Sequence, residues 1–446
     1  MSQLSLPLAL VHTEPDHAHL ATRDRLQVLL QEDFDFQGQY AAHATHNLHP
    51  FPAKFPPQLP RRFIQALTQP GDVVLDPMMG SGTTVLEAYL AQRTAVGFDI
   101  DPLARLLAQV KVTPLPLDQT ARTAAEVVVE ARTALAQPDA AAQSLDQRFN
   151  AKSREFIHYW FPVQSQLELA ALIQSIEQVE SPAIRAFLQL AFSATIITKS
   201  AGVSLARDLA HTRPHKVKEA EWRSPLGLFE KRVAQNLNAF AAMAWTDRTT
   251  RLEAGDAQQL PLPAASVDLI VTSPPYASNA IDYMRAHKFS LVWLGYPIED
   301  LSQRRREYVG GEALDDFKFE PLPSYTAEVV AAVEQADPRK GRVLHRYYSE
   351  MTRVLREMRR VLKPGRCTIL VVGTSTFKGQ ATHVQHCLGD IGQALGLDLV
   401  GIAERRIDRN RRMLPARHGG RNASQIEERM HEEYLIGFQK LQCRAD

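Results

Sequence analysis

Two short stretches carry residue types and spacings that can do chemistry. The first is Asp76-Pro77-Met78-Met79-Gly80-Ser81-Gly82-Thr83-Thr84 and the second is Thr272-Ser273-Pro274-Pro275-Tyr276. In the first, Gly80 and Gly82 let the backbone turn tightly and approach a ligand where a Cβ would collide. The following residues, Val85 to Leu90, read as a helix, whose free N-terminal N–H groups suit an anionic or polar ligand. In the second, two prolines stiffen the turn and leave carbonyls free to accept hydrogen bonds. Tyr276 adds a ring that can stack on a flat base, and the oxygens can accept from an exocyclic amine.

Both stretches need the same scaffold. Val73-Val74-Leu75 and Val267-Asp268-Leu269-Ile270-Val271 are apolar runs that read as buried parallel strands. Each motif therefore sits at a strand's carboxyl end, where open α/β sheets place their ligands. Thr94 to Asp101 reads as a further strand ending in acids. Asp99, about twenty residues past the glycine turn, is placed to accept ribose hydroxyls, and Asp101-Pro102 begins the next helix. Strands are also expected at Arg251–Ala257, Thr368–Gly373, Leu399–Ala403 and Glu433–Phe438. The fold class is thus α/β, Rossmann-like, with a seven-stranded, mostly parallel sheet whose last strand is antiparallel.

The glycine stretch paired with Ser-Pro-Pro-Tyr resembles the amino-methyltransferases of DNA, which methylate cytosine N4 or adenine N6 with S-adenosylmethionine. The resemblance implies that Asp76, Pro77, Met78, Gly80, Ser81, Gly82, Thr83 and Thr84 cradle that cofactor, with Asp99 and Ile100 at its ribose. It implies that Lys54, Phe55 and Pro56, in the proline-rich stretch His49–Pro57, close over the methionine end, and that Asp256 meets the adenine amine. Ser273, Pro274, Pro275 and Tyr276 become the catalytic turn. A serine at its head is the form more typical of the cytosine-N4 branch. Adenine-N6 methylation, an RNA amine substrate, and a binding module without chemistry are the alternatives.

The remaining chain divides into an N-terminal arm (1–45), polar and read as loosely ordered to about residue 40, a cofactor-binding part (46–113), a mainly helical insertion (114–249) and a catalytic part (250–446). The insertion shows Ala-rich helical periodicity at Thr120–Leu135, Ser165–Val179, Ala183–Thr198 and Leu228–Met243, with a basic loop around Arg207 to Lys218. Residues 304–338 read as an irregular charged loop, and Tyr347–Leu362 as a strong helix.

The net charge of +1 does not mark a nucleic-acid binder, so double-stranded DNA would need a local basic face. The densest candidate is Arg405, Arg406, Arg409, Arg411, Arg412, Arg417 and Arg421, read as a loop between the last two strands; Arg304-Arg305-Arg306 is smaller. Three separated cysteines suggest neither a disulfide framework nor a metal site and fit a cytoplasmic protein. No apolar run is long enough for a membrane span. A cognate restriction endonuclease is a partner to look for in such a restriction-modification setting.

Overall fold

The computed structural model describes residues 19–442 except 40, 53, 137–144, 146, 210–213, 278–281, 374–375, 378–379 and 408–431. Its main sheet has strands β1 (Val73–Asp76), β2 (Thr94–Asp99), β3 (Thr250–Ala254), β4 (Val267–Thr272), β5 (Leu362–Gly373), β6 (Leu397–Arg406) and β7 (Glu432–Lys440). They lie in the order β6-β7-β5-β4-β1-β2-β3. Pairings are parallel from β3 to β5, and β7 runs antiparallel between β5 and β6. All seven expected strands form.

Every residue of β4 is buried, as a central strand covered on both faces must be. The strand order reverses between β1 and β4, so a crevice opens at their carboxyl ends.

Helices α1 (Thr22–Leu29), α2 (Gln58–Leu67) and α3 (Thr83–Leu90) cover one face, where Leu26, Phe63 and Leu86 meet Val74, Leu269 and Ile369. The arm was expected to be loose, yet its residues Leu26 and Leu29 are fully buried. Phe34 stacks on Phe63 at 5.2 Å. A Cβ on Gly437 would lie 2.7 Å from Leu30, so the arm packs where β7 has no side chain. Helix α4 (Pro102–Val112) follows β2, capped by Asp101 as expected.

Between α4 and β3 come α5 (Leu117–Leu135), α6 (Ala151–Trp160), α7 (Val163–Glu177), α8 (Pro182–Ile196) and α9 (Pro225–Ala241). Asn150, Ser181 and Ser224 cap three of these, and Pro182 and Pro225 occupy first-turn positions where a missing N–H costs nothing. After β4 come α10 (Tyr283–Leu291) and α11 (Ile298–Arg304). The insertion and α10 share one core, with Phe187 and Phe229 in the same cluster as Phe289 and Trp293.

The opposite face of the sheet is covered by α12 (Ser324–Ala336), α13 (Pro338–Val361) and α14 (Val384–Ala394). Helix α12 lies inside the stretch expected to be irregular; Thr326, Val330 and Val333 are its buried stripe. Helix α13 starts nine residues earlier than expected, because Asp337 caps it and Pro338 opens it. No helix among the described residues is long and apolar enough to cross a membrane.

Candidate active site

The crevice between β1 and β4 holds a cavity walled by both motifs. Asp76 ends β1 and is buried. Its Oδ1 accepts from Thr272 Oγ1 at 2.7 Å and from the Met78 N–H at 3.2 Å, tying the two strand ends together. Burial pushes its carboxyl up to about 6. Gly80 and Gly82 have φ of +47° and +73°, and a Cβ on Gly82 would lie 2.8 Å from the Ala108 Cβ. Both the turn and the contact of α3 with α4 therefore require glycine. Beneath the turn the buried Lys111 ammonium donates to the Ser81 carbonyl at 2.6 Å.

Asp99 ends β2 and faces the same cavity. Its oxygens each accept one backbone N–H at 2.8 Å, from Gly80 and from Asp101. Burial, and then the charge of Asp101, push it up to about 7. Of the residues expected at a cofactor, Lys54, Phe55, Asp76, Pro77, Met78, Gly80, Ser81, Thr83, Asp99, Ile100 and Asp256 line the cavity. Pro56, Gly82 and Thr84 do not; Thr84 Oγ1 instead donates to the Val271 carbonyl at 3.1 Å.

The proline turn divides in the same way. Ser273 and Pro275 line the cavity, whereas Pro274 and Tyr276 do not. The Tyr276 hydroxyl donates to Glu433 Oε1 at 2.7 Å, and Glu433 Oε2 accepts from Arg405 Nε at 2.8 Å. Arg405 is thereby corrected. It belongs to β6 and is 5% exposed, so it braces the turn from behind and offers nothing to a phosphate. Arg406 is exposed at the strand's end, its N–H donating to Asp35. Arg409, Arg411, Arg412, Arg417 and Arg421, like His211 and Arg213 of the insertion, lie outside the described residues.

Sequence reasoning missed a second tie. Asp101 caps α4 with Oδ1, while its Oδ2 accepts from His287 Nδ1 at 2.5 Å and from the Tyr308 hydroxyl at 2.9 Å. Burial raises its carboxyl, but the His287 and Tyr308 contacts outweigh that and hold it below the usual range. This joins the end of β2 to α10 and to the Glu307–Val309 segment, which also lines the cavity. The spacing of Asp101 announced a cap; nothing in the chain announced partners 186 and 207 residues away.

The proline-rich stretch is anchored by ions. Glu87, buried in α3, accepts from His46 Nε2 at 2.7 Å and from Arg61 Nε at 2.7 Å, with His43 Nε2 at 2.9 Å. These contacts outweigh burial and hold Glu87 well below the carboxylate range, while burial pushes His46 down to about 4. His43, His46 and Glu87 are the one group with metal-ligating spacing among the described residues. Arg61 already occupies both Glu87 oxygens, so the group is an ion-pair cluster. Lys54, pushed down to about 8 by burial, donates to the His46 carbonyl at 3.2 Å.

A family model described as DNA methylase (N6_N4_Mtase) matches residues 21–109, from α1 to α4. The type II methyltransferase M.MvaI of Kocuria varians is 23% identical over 359 residues, 75% of this chain and 78% of that protein. M.BsoBI of Geobacillus stearothermophilus is 21% identical over 427 residues, 80% of each. The type II methyltransferase M.BglI of Bacillus subtilis is 52% identical over a local 50 residues, 14% of its length. With its sheet order and its two motifs on one crevice, the chain is thus similar to the amino-methyltransferase family of DNA methylases over α1 to α4, and to type II methyltransferases over most of its length.

Proposed function

We propose that the protein transfers a methyl group to the exocyclic amine of a flipped DNA base, cytosine N4 in preference to adenine N6. The observation that carries this reading is the single cavity into which both Asp99 and Ser273 open. A ligand held at the ends of β1 and β2 would sit against the turn at the end of β4.

The cavity's charge fits a cationic cofactor. Asp76, Asp99, Asp101, Asp256 and Glu307 line it against one cation, Lys54. S-adenosylmethionine, when bound, supplies an electrophilic methyl group on a sulfonium centre. Each Asp99 oxygen accepts only one N–H, leaving lone pairs for two ribose hydroxyls. Lys54 is the residue for a carboxylate, and the exposed Asp256 for an adenine amine. The glycine turn admits the chain of the ligand because no Cβ stands there.

The base amine is a weak nucleophile, its lone pair being drawn into the ring. Ser273 Oγ, which lines the cavity, is the acceptor that would hold one of its protons and favour a tetrahedral nitrogen; as the N–C bond forms the methyl–sulfur bond breaks, the cofactor would leave as the neutral thioether, and the surplus proton on nitrogen is released to water. Pro275 closes the wall behind the base. The turn's contribution is positioning, worth orders of magnitude when the attack geometry is held. The brace from Tyr276 through Glu433 to Arg405 keeps it rigid. The serine at the head of the turn supports cytosine N4.

Nucleotide-resolved mapping of methylation in DNA from cells expressing the protein tests the reading. N4-methylcytosine in a fixed context is the expected result. N6-methyladenine would transfer the assignment to the other base, and unmodified DNA would sink it.

A further inference from the structure

A cavity of about 220 Å³ lies in the insertion, among the end of α8, the loop that follows it and the first turns of α9. It shares no lining residue with the crevice. Leu228, Lys231, Arg232 and Gln235 come from one face of α9, at the i, i+3, i+4, i+7 spacing of a helix. Thr198, Ser200 and Arg223 come from the segment between the two helices. Three cations thus line the cavity, and among the described residues no carboxylate does.

The cations are placed in different ways. Arg223 Nη1 donates to Ser200 Oγ at 3.1 Å, and a Cβ on Gly202 would lie 2.8 Å from the Arg223 stem, so the loop packs directly on that side chain. Lys231 and Arg232 have no ion-pair partner among the described residues. Arg232 is half-buried, and burial lowers it from its usual value with no acid to offset the loss. A cation desolvated without a counter-ion is unfavourable, and a bound anion would relieve it. Cations also complement the carbonyl end of a helix such as α8, but that role needs neither an open cavity nor three charges. The Thr195 and Thr198 hydroxyls donate to the Phe192 carbonyl at 2.7 Å and the Ser200 carbonyl at 2.6 Å. The Ser200 hydroxyl, which accepts from Arg223, keeps its own proton for a ligand.

We propose that this cavity binds a phosphate group, its oxygens held by Arg232, Lys231, Arg223 and the Ser200 hydroxyl. Guanidinium forks match phosphate oxygens in pairs, and the ammonium adds a compact charge. The volume is below the ~300–1,000 Å³ of clefts that enclose a drug-sized ligand. The charged group therefore enters, and whatever carries it stays outside. Two sources share that chemistry, a backbone diester of duplex DNA and free phosphate. The DNA source rests on the reading of the protein as a DNA methyltransferase, and the free source does not. With DNA, the insertion is a hold on the backbone far along the chain from both motifs, one that positions the duplex without reading its sequence.

The test uses the full chain, with inorganic phosphate as one probe and a duplex containing the mapped site as the other. Calorimetry should show saturable phosphate binding that weakens about tenfold or more in Lys231→Gln with Arg232→Gln. Lys231→Arg with Arg232→Lys should restore it. Ser200→Asp, at an exposed loop position, should abolish it without touching α9, by setting a carboxylate among the cations. If the source is DNA, the double Gln variant should lower the slope of log affinity against log salt by up to ~2. An unchanged slope with phosphate binding lost assigns the cavity to free phosphate. Cooperative urea unfolding of each variant reports that it is folded. Phosphate binding and salt slope both unmoved by these substitutions overturn the proposal and leave the cations to the carbonyl end of α8. Methylation by the wild type judges the underlying reading separately: with no DNA modified, only the DNA source falls.

Discussion

The acid-lined crevice and the basic cavity of the insertion differ in how they are made. The acid-lined one is built from strand ends and turns, each within a few residues of a motif. The basic one is built from Thr198 and Ser200, from Arg223 and from one face of α9, assembled by helix packing. A crevice fixed by sheet topology can be read from short sequence spacings. A surface assembled from packed helices cannot, and Arg405 shows the cost: the residue heading the densest basic stretch is a buried brace, while the short Lys231-Arg232 pair reaches a cavity.

The sharpest way to break that contrast is Arg405→Ala. Removing one partner of a buried pair leaves the Glu433 carboxylate uncompensated, so stability should fall by about 3–5 kcal/mol in urea denaturation. A change near zero would return Arg405 to the list of surface arginines. Next in size is Asp99→Ala, which removes the acceptor proposed for the ribose hydroxyls. Calorimetry should show cofactor affinity weakened by about 1.5–3 kcal/mol, with the salt slope of DNA binding untouched. An effect on both would mean that the cavities are not separate in function.

Tyr276→Phe keeps the ring and loses the bond to Glu433. It should cost about 1–2 kcal/mol of stability and retain turnover, because the ring lies outside the acid-lined cavity. The larger turnover loss should follow Ser273→Ala, which does reach that cavity. If Phe at 276 abolishes methylation while the fold and cofactor affinity hold, the hydroxyl has a role the brace does not explain.

Asp99 also sets a pH dependence that the basic cavity should lack. Its folded value, about 7, lies above the ~3.9 of an unfolded chain. The folded protein therefore holds that proton more tightly. Its contribution to stability is in full below about 4 and is lost as pH rises through 7. If ribose hydroxyls donate to the ionised form, as proposed, cofactor affinity should run the other way, falling up to tenfold per unit below about 7. Proton release on binding, seen as buffer-dependent heat, should vanish in Asp99→Asn. The smallest effect belongs to Lys231→Ala, which should leave stability within about 0.5 kcal/mol. A large loss would make Lys231 part of the packing.

Much of the sheet was legible because buried strands read as apolar runs, and Asp76, Asp99 and Ser273 fell where strand ends had to put them. Helix α12 escaped notice because its thirteen residues bury only Thr326, Val330 and Val333, within a charged neighbourhood. The arm was misread for a similar reason: Leu26, Leu30 and Phe34 are spaced among charged residues, and their partners, Gly437 of β7 for the leucines and Phe63 of α2 for the ring, lie elsewhere in the chain. The Asp101–His287–Tyr308 contact could not be foreseen, since local spacing carries no information about partners that only packing brings together.

The place of β7 has a consequence for when the enzyme becomes competent. The strand enters between β5 and β6, and its Glu433 reaches back 157 residues to Tyr276. A chain still on the ribosome has synthesised both motifs long before this strand emerges. Until then β5 and β6 have no partner between them, and the turn has no brace. Methylation should therefore be withheld from nascent chains and from products cut short before residue 432, even though every motif residue is present. On that expectation β7 would act as a completion signal, so that a half-made enzyme would be a silent one.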